Sequence, residues 1–149
     1  MSGSDEPAAE KTPSTRQPLE GLRVLVVEDE PDARELLSLT LECSGAEVEA
    51  VTSAQEALDN LQAFKPDVLL SDIGLPTESG YDLIRKVRSL SSEASNIPAV
   101  ALTAFATEKD RELAISAGFQ MHLAKPVDPE VLVAAIERVA NSNDESQKT

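Results

Sequence analysis

One cysteine, Cys43, is all the thiol chemistry that the 149-residue chain holds. No internal disulfide can form, which fits a reducing compartment. Cys43 sits in "LTLECSGAEV", close to an expected helix end, and reads as a small packed or half-exposed side chain rather than a reactive thiol. Histidine also occurs once, as His122, and one histidine with one cysteine cannot furnish a usual zinc site. Basic residues are scarce: 13 Lys and Arg stand against 27 Asp and Glu, for a formal net charge of -14. That balance repels phosphate backbones and anionic membranes, which argues against nucleic-acid binding and favours cations or basic protein surfaces. No apolar run approaches the ~18 residues of a membrane span. The start, "MSGSDEPAAEKTPSTRQPLE", has neither a basic n-region nor an apolar h-region. The expectation is a cytoplasmic protein with no membrane insertion.

What is present is alternation. Residues 1–19, rich in Pro, Ser, Thr, Glu and Ala, read as a disordered tail or linker; residues 20–141 as one domain; residues 142–149 as a flexible tail. Within the domain "LRVLVVE", "AEVEAV", "DVLLS", "PAVALTA" and "QMHLA" read as strands. Between them lie helical stretches. Glu30–Pro31 opens the first, with Leu36, Leu37, Thr40 and Leu41 expected on its inward stripe and Gly45 ending it. Ser53 with Glu56 forms a capping-box signature for the second, and "YDLIRKVRSL" is the third. Thr107 with Asp110 caps the fourth. Asp128–Pro129 opens the last, with Val131, Leu132, Ala135, Ile136 and Val139 expected on one face. Strands alternating with helices imply an α/β fold: a doubly wound parallel sheet of about five strands with helices on both faces. Three strands are continuously apolar, as strands buried on both sides must be, whereas "AEVEAV" reads as an edge.

In such sheets the working crevice lies beyond the carboxyl ends of the strands. The residues falling there are Glu28 and Asp29, Asp72, Thr103 and Lys125. Three carboxylates in one place repel one another, and one lysine does not compensate them. A hard divalent cation does, and an open carboxylate site that also admits a phosphate favours Mg²⁺. Lys125 and Thr103 would then face the phosphate, and Asp72 is the candidate nucleophile, able to carry an aspartyl-phosphate. The acid-dense "EDEPD" lacks the spacing and central glycine of a calcium loop.

The segments "VLVVEDEP", "DVLLSDIGLPTESGYDLIRKVR", "AVALTA" and "HLAKP", in this order, resemble the receiver domain of two-component signalling over about Leu22–Ala140. The resemblance implies a flavodoxin-like sheet of strand order 2-1-3-4-5; the chemotaxis receiver of this family is a standard illustration of that order. It implies that Asp72 is the phosphoacceptor, Asp29 the direct Mg²⁺ ligand and Glu28 the acid that helps hold the metal. Gly74 would add its carbonyl, and the Ala104 N–H would donate to the phosphoryl group. Thr103 would be the switch hydroxyl and Lys125 the phosphate-facing lysine, followed by a cis Lys125–Pro126 bond. It also implies a signalling phosphoacceptor rather than a turnover enzyme. The partner would be a histidine kinase or histidine phosphotransfer domain, and a homodimer is compatible.

Four features depart from or refine the pattern. Glu28 replaces the commoner Asp. His122 occupies the position of the rotating switch aromatic, and Phe105 follows Thr103 closely enough to shield the site. Gly74 offers no side chain to position water, so slow to moderate loss of phosphate is expected. Two rivals remain: a Mg²⁺-dependent phosphatase with an aspartate nucleophile, and a scaffold receiver that is never phosphorylated. Gly74 stands where such a phosphatase carries its second acid, and the full acid–lysine set argues against a scaffold. The "PLEGLRVLVVEDEPDARELL" segment is similar to receivers attached to hybrid histidine kinases, so phosphorelay is the favoured context over a DNA-binding regulator.

Overall fold

Each strand of this protein is four or five residues long, and composition decides its depth. The computed structural model describes residues 17–104 and 107–148, with side chains to residue 141. The strands are β1 (Arg23–Val27), β2 (Glu47–Val51), β3 (Val68–Asp72), β4 (Ala99–Thr103) and β5 (Met121–Ala124). The helices are α1 (Pro31–Cys43), α2 (Ala54–Phe64), α3 (Gly80–Arg88), α4 (Glu108–Ala117) and α5 (Pro129–Lys148), with a 3₁₀ turn at Glu93–Asn96. All pairings are parallel, and the order is β2-β1-β3-β4-β5, as the resemblance implies.

Strands β3 and β4 are buried along their whole length, and β1 from Val24 onward. Alternate side chains serve opposite faces. Leu25, Val27 and Leu69 join Leu83, Ile84 and Val87 beneath α2, α3 and α4, whereas Val24, Val26 and Leu70 join Leu41, Leu132 and Ile136 beneath α1 and α5. Each such Val or Leu contributes roughly 1.5–3 kcal/mol of burial, so the central strands form the rigid part of the molecule. Edge strand β2 keeps Glu47 and Glu49 exposed, which matches its mixed composition.

The caps follow the expected residues with one shift. Glu30 accepts the Ala33 N–H at 2.7 Å with Pro31 at the first helical position, and Thr107 accepts the Asp110 N–H at 3.1 Å. Ser53 accepts the Glu56 N–H, but the Glu56 carboxylate reaches back to the N–H and hydroxyl of Thr52, one residue before the expected partner.

Four boundaries or faces differ from expectation. Leu19 is fully buried and its N–H donates to Ser44 O, so the domain takes in part of the presumed tail. The rest of that tail, residues 1–16, lies outside the described residues. Leu36 is 62% exposed, because the face set by Leu37 and Leu41 turns it outward. Val131 is 49% exposed for the same reason, one position ahead of the Leu132, Ala135, Ile136 and Val139 stripe. Helix α5 continues to Lys148, past the boundary expected at residue 141. Among the described residues, no helix is long and apolar enough to cross a membrane.

Candidate functional site

The parallel sheet points the carboxyl ends of its strands the same way, and the acids meet there. One carboxylate oxygen from each of Glu28, Asp29 and Asp72 lies within 4.8 Å of the others. Glu28 is fully buried and Asp72 nearly so, at 6% exposure, while Asp29 faces solvent. A buried carboxylate is costly unless hydrogen bonds or opposite charge hold it.

Both buried acids are held. The Glu28 N–H donates to Val51 O at 3.0 Å, so the chain stays locked to the sheet one residue beyond β1. Glu28 Oε2 accepts the Glu30 N–H at 3.2 Å, and Glu28 Oε1 accepts from Lys125 Nζ at 3.1 Å. Asp72 Oδ1 accepts the Gly74 N–H at 3.3 Å, and Oδ2 lies 3.4 Å from Lys125 Nζ. Lys125 is aimed by its backbone, whose N–H donates to Thr103 O at 2.8 Å, and the following bond to Pro126 is cis.

Burial pushes the Glu28 carboxyl above the ordinary glutamate range, and the charge of Asp72 adds to this; the bonds from Glu30 and Lys125 oppose it without winning. For Lys125, burial alone would lower the pKa. The hydrogen bond to Glu28 and the charges of Asp72 and Glu28 outweigh it, and the ammonium is held above its usual range. One ammonium among three carboxylates leaves negative charge over. This donor set, all oxygen and open on the Asp29 side, fits a hard divalent cation.

Of the other residues singled out, Thr103 is buried at the end of β4, one strand over from Asp72, and Ala104 is exposed just beyond. His122 pairs with Ala101 across β4 and β5 and is half-buried. Its Nε2 is enclosed with no hydrogen-bond partner among the described residues. Phe105 lies outside the described residues.

Gly80 was not anticipated. A Cβ there would sit 2.5 Å from Asp72 O and 2.9 Å from Ile73 Cα, and its N–H donates to Ile73 O at 2.8 Å. The first turn of α3 therefore packs directly on the backbone that carries Asp72. The signal in the sequence was the Ser79–Gly80 pair: Ser79 caps α3 in a reciprocal box with Asp82, which places the glycine first in the helix.

A five-stranded doubly wound sheet that gathers three acids and a lysine at its carboxyl edge is a site able to hold a hard cation beside a phosphate. The family model described as the response regulator receiver domain matches residues 24–137. The chain is 43% identical over 122 residues to an uncharacterized 14.6 kDa protein from the sodA1 3' region of Leptolyngbya boryana, covering 82% of this chain and 92% of that one. It is 36% identical to the response regulator Rre1 of Synechocystis, covering 80% of this chain and 52% of that protein. It is 31% identical to hybrid signal transduction histidine kinase D of Dictyostelium discoideum, covering 79% of this chain and 8% of that much longer one. Among solved structures it is similar to a putative response regulator from Chloroflexus aurantiacus, with TM-score 0.77, 32% identity, and coverage of 80% of this chain and 98% of that one. It is also similar to the signal receiver domain of a histidine kinase from Syntrophus aciditrophicus, with TM-score 0.74, 29% identity, and coverage of 82% and 92%. The chain belongs to the response regulator receiver family.

Proposed function

We propose that Asp72 accepts a phosphoryl group from a phosphohistidine on a partner histidine kinase or phosphotransfer domain, and that the acquired charge alters a protein-binding surface. The N–P bond of the donor breaks as a P–O bond forms to an Asp72 oxygen, and the imidazole leaves. The observation that carries this reading is the meeting of Asp72 Oδ2 with Lys125 Nζ at 3.4 Å beside two further acids.

Glu28, Asp29, Asp72 and the Gly74 carbonyl are the residues that would hold Mg²⁺. When bound, the ion offsets repulsion between the carboxylates and the phosphoryl oxygens. The chain's own groups do the rest. The Gly74 N–H orients Asp72 through Oδ1. Lys125 supplies charge toward the phosphoryl oxygens, and the Thr103 hydroxyl and Ala104 N–H are its proposed donors from the β4 side. The enclosed Nε2 of His122, without a hydrogen-bond partner among the described residues, supports a ring that changes its contacts when Thr103 does.

Gly74 weighs against a turnover phosphatase, since that position offers no acid to protonate a leaving group. The outward Leu36 and Leu39 of α1, at 62% and 51% exposure and three residues apart, support contact with a protein partner on that helix. The test is labelling by acetyl phosphate with Mg²⁺, read by mass spectrometry of the intact chain. Asp72→Asn abolishes the adduct if the assignment is right, and undiminished labelling of that variant overturns it.

A further inference from the structure

The backbone turn that presents Glu28 and Asp29 is held from behind. Beyond β1 the chain leaves the sheet, and the carbonyls of residues 28 and 29 lose their ladder partners. Arg34, in the second turn of α1, reaches back to both. Its Nη1 donates to Glu28 O at 3.0 Å and to Asp29 O at 3.2 Å. Two consecutive peptide planes are thereby pinned by one guanidinium, and peptide orientation sets where each Cα–Cβ bond points. Arg34 is itself fixed, since its N–H donates to Glu30 O at 2.9 Å and its carbonyl accepts the Ser38 hydroxyl at 2.9 Å.

The contrast with Lys125 is informative. Lys125 engages carboxylate oxygens of Glu28 and Asp72, the atoms a cation needs. Arg34 bonds backbone carbonyls at this turn and so leaves the carboxylate oxygens available. Both bonds leave the one Nη1, and the guanidinium is planar and always protonated, so the donor keeps its charge and direction at this turn.

We propose that Arg34 is a positioning residue for the cation site: by holding the carbonyls of Glu28 and Asp29 it sets the direction of their carboxylates without bonding the oxygens that the ion would need. This rests on the reading of the acids as a Mg²⁺ site. Partners that orient ligands from outside the coordination sphere typically change metal affinity by about 10–100-fold.

The test is calorimetric titration of the full chain with MgCl₂, without phosphodonor, for the parent, Arg34→Ala and Arg34→Lys, alongside melting in EDTA. Arg34→Ala weakens Mg²⁺ binding by about tenfold and Arg34→Lys by less, since the ammonium keeps a charged donor but on a shorter, freely rotating end. If the alanine variant does not fold, the lysine variant carries the test. Affinity within about twofold of the parent in every folded variant overturns the inference, even where melting falls, because that pattern marks a purely structural arginine. A parent chain that binds no Mg²⁺ overturns the cation reading and this inference with it.

Discussion

Lys125 Nζ lies between two acids from different strands, 3.1 Å from Glu28 Oε1 and 3.4 Å from Asp72 Oδ2. In the cation-free chain the lysine is their counter-charge; with a cation bound it is a competitor. Lys125→Ala therefore keeps Mg²⁺ affinity or tightens it, while weakening any conformational response to phosphorylation. Calorimetry and a comparison of amide exchange before and after acetyl phosphate treatment check the two halves. Loss of Mg²⁺ binding in this variant contradicts the role given to the lysine.

Glu28 has a sign that can be worked out. Its folded-state pKa is raised, chiefly by burial, above the ordinary value of 4.5. The folded chain therefore holds that proton more tightly than the unfolded chain. The stability this provides is complete below about pH 4.5 and is lost as pH rises through the raised folded value. As pH rises and Glu28 ionises, the cation-free protein gives up that contribution. Glu28→Gln should therefore melt at pH 7 in EDTA no lower than the parent. The same variant should lose most of the rise in melting temperature that Mg²⁺ gives the parent. A lower melting temperature in EDTA counts against this account.

Gly80→Ala tests the packing of α3 on the phosphoacceptor strand. The added methyl would meet Asp72 O at 2.5 Å, and the obstacle is backbone, which cannot swing aside. The expected loss is about 1–3 kcal/mol in denaturant unfolding, with slower labelling of Asp72 as its backbone is displaced. A variant of parental stability that labels at the parental rate means the contact relaxes without consequence.

On the proposed phosphoacceptor role, Gly74 should set how long the phosphoryl group stays. Its Cβ position has no heavy atom of the described residues within 4 Å, so a side chain is sterically admissible there. The parent, with nothing at this position to orient water, should lose phosphate over minutes or longer. Gly74→Asn should shorten the half-life by on the order of tenfold by holding a water near the phosphorus. Decay of the labelled adduct, followed by mass spectrometry, checks both; a parental half-life of seconds or less refutes the first.

The fold was legible because its central strands are buried on both sides. Runs such as Val24–Val27 and Val68–Leu70 have no other stable place than a covered parallel sheet. The site residues were legible because they end those runs. Helix faces were read one position too wide at Leu36 and Val131, since an apolar residue next to a true stripe is chemically indistinguishable from a member of it. Leu19 was hidden in a proline-bearing, polar neighbourhood. Gly80 and Arg34 went unassigned for a different reason: their partners are Asp72 O, Glu28 O and Asp29 O, and every residue has a carbonyl. The Ser79–Asp82 box marks Gly80 as first in its helix, but residue type does not say which carbonyl a residue meets.

Strand order carries a last consequence. Asp72 ends β3, the middle strand of five. The acids Glu28 and Asp29 follow β1 on one flank, beside α1, whereas Thr103 and Lys125 come from β4 and β5 on the other, beside α4. Lys125 alone reaches across, from β5 to Glu28 beyond β1 and to Asp72 between them, so the two flanks of the sheet are tied at one ammonium. If Asp72 is phosphorylated as proposed, a change in that one contact would be felt on both flanks at once.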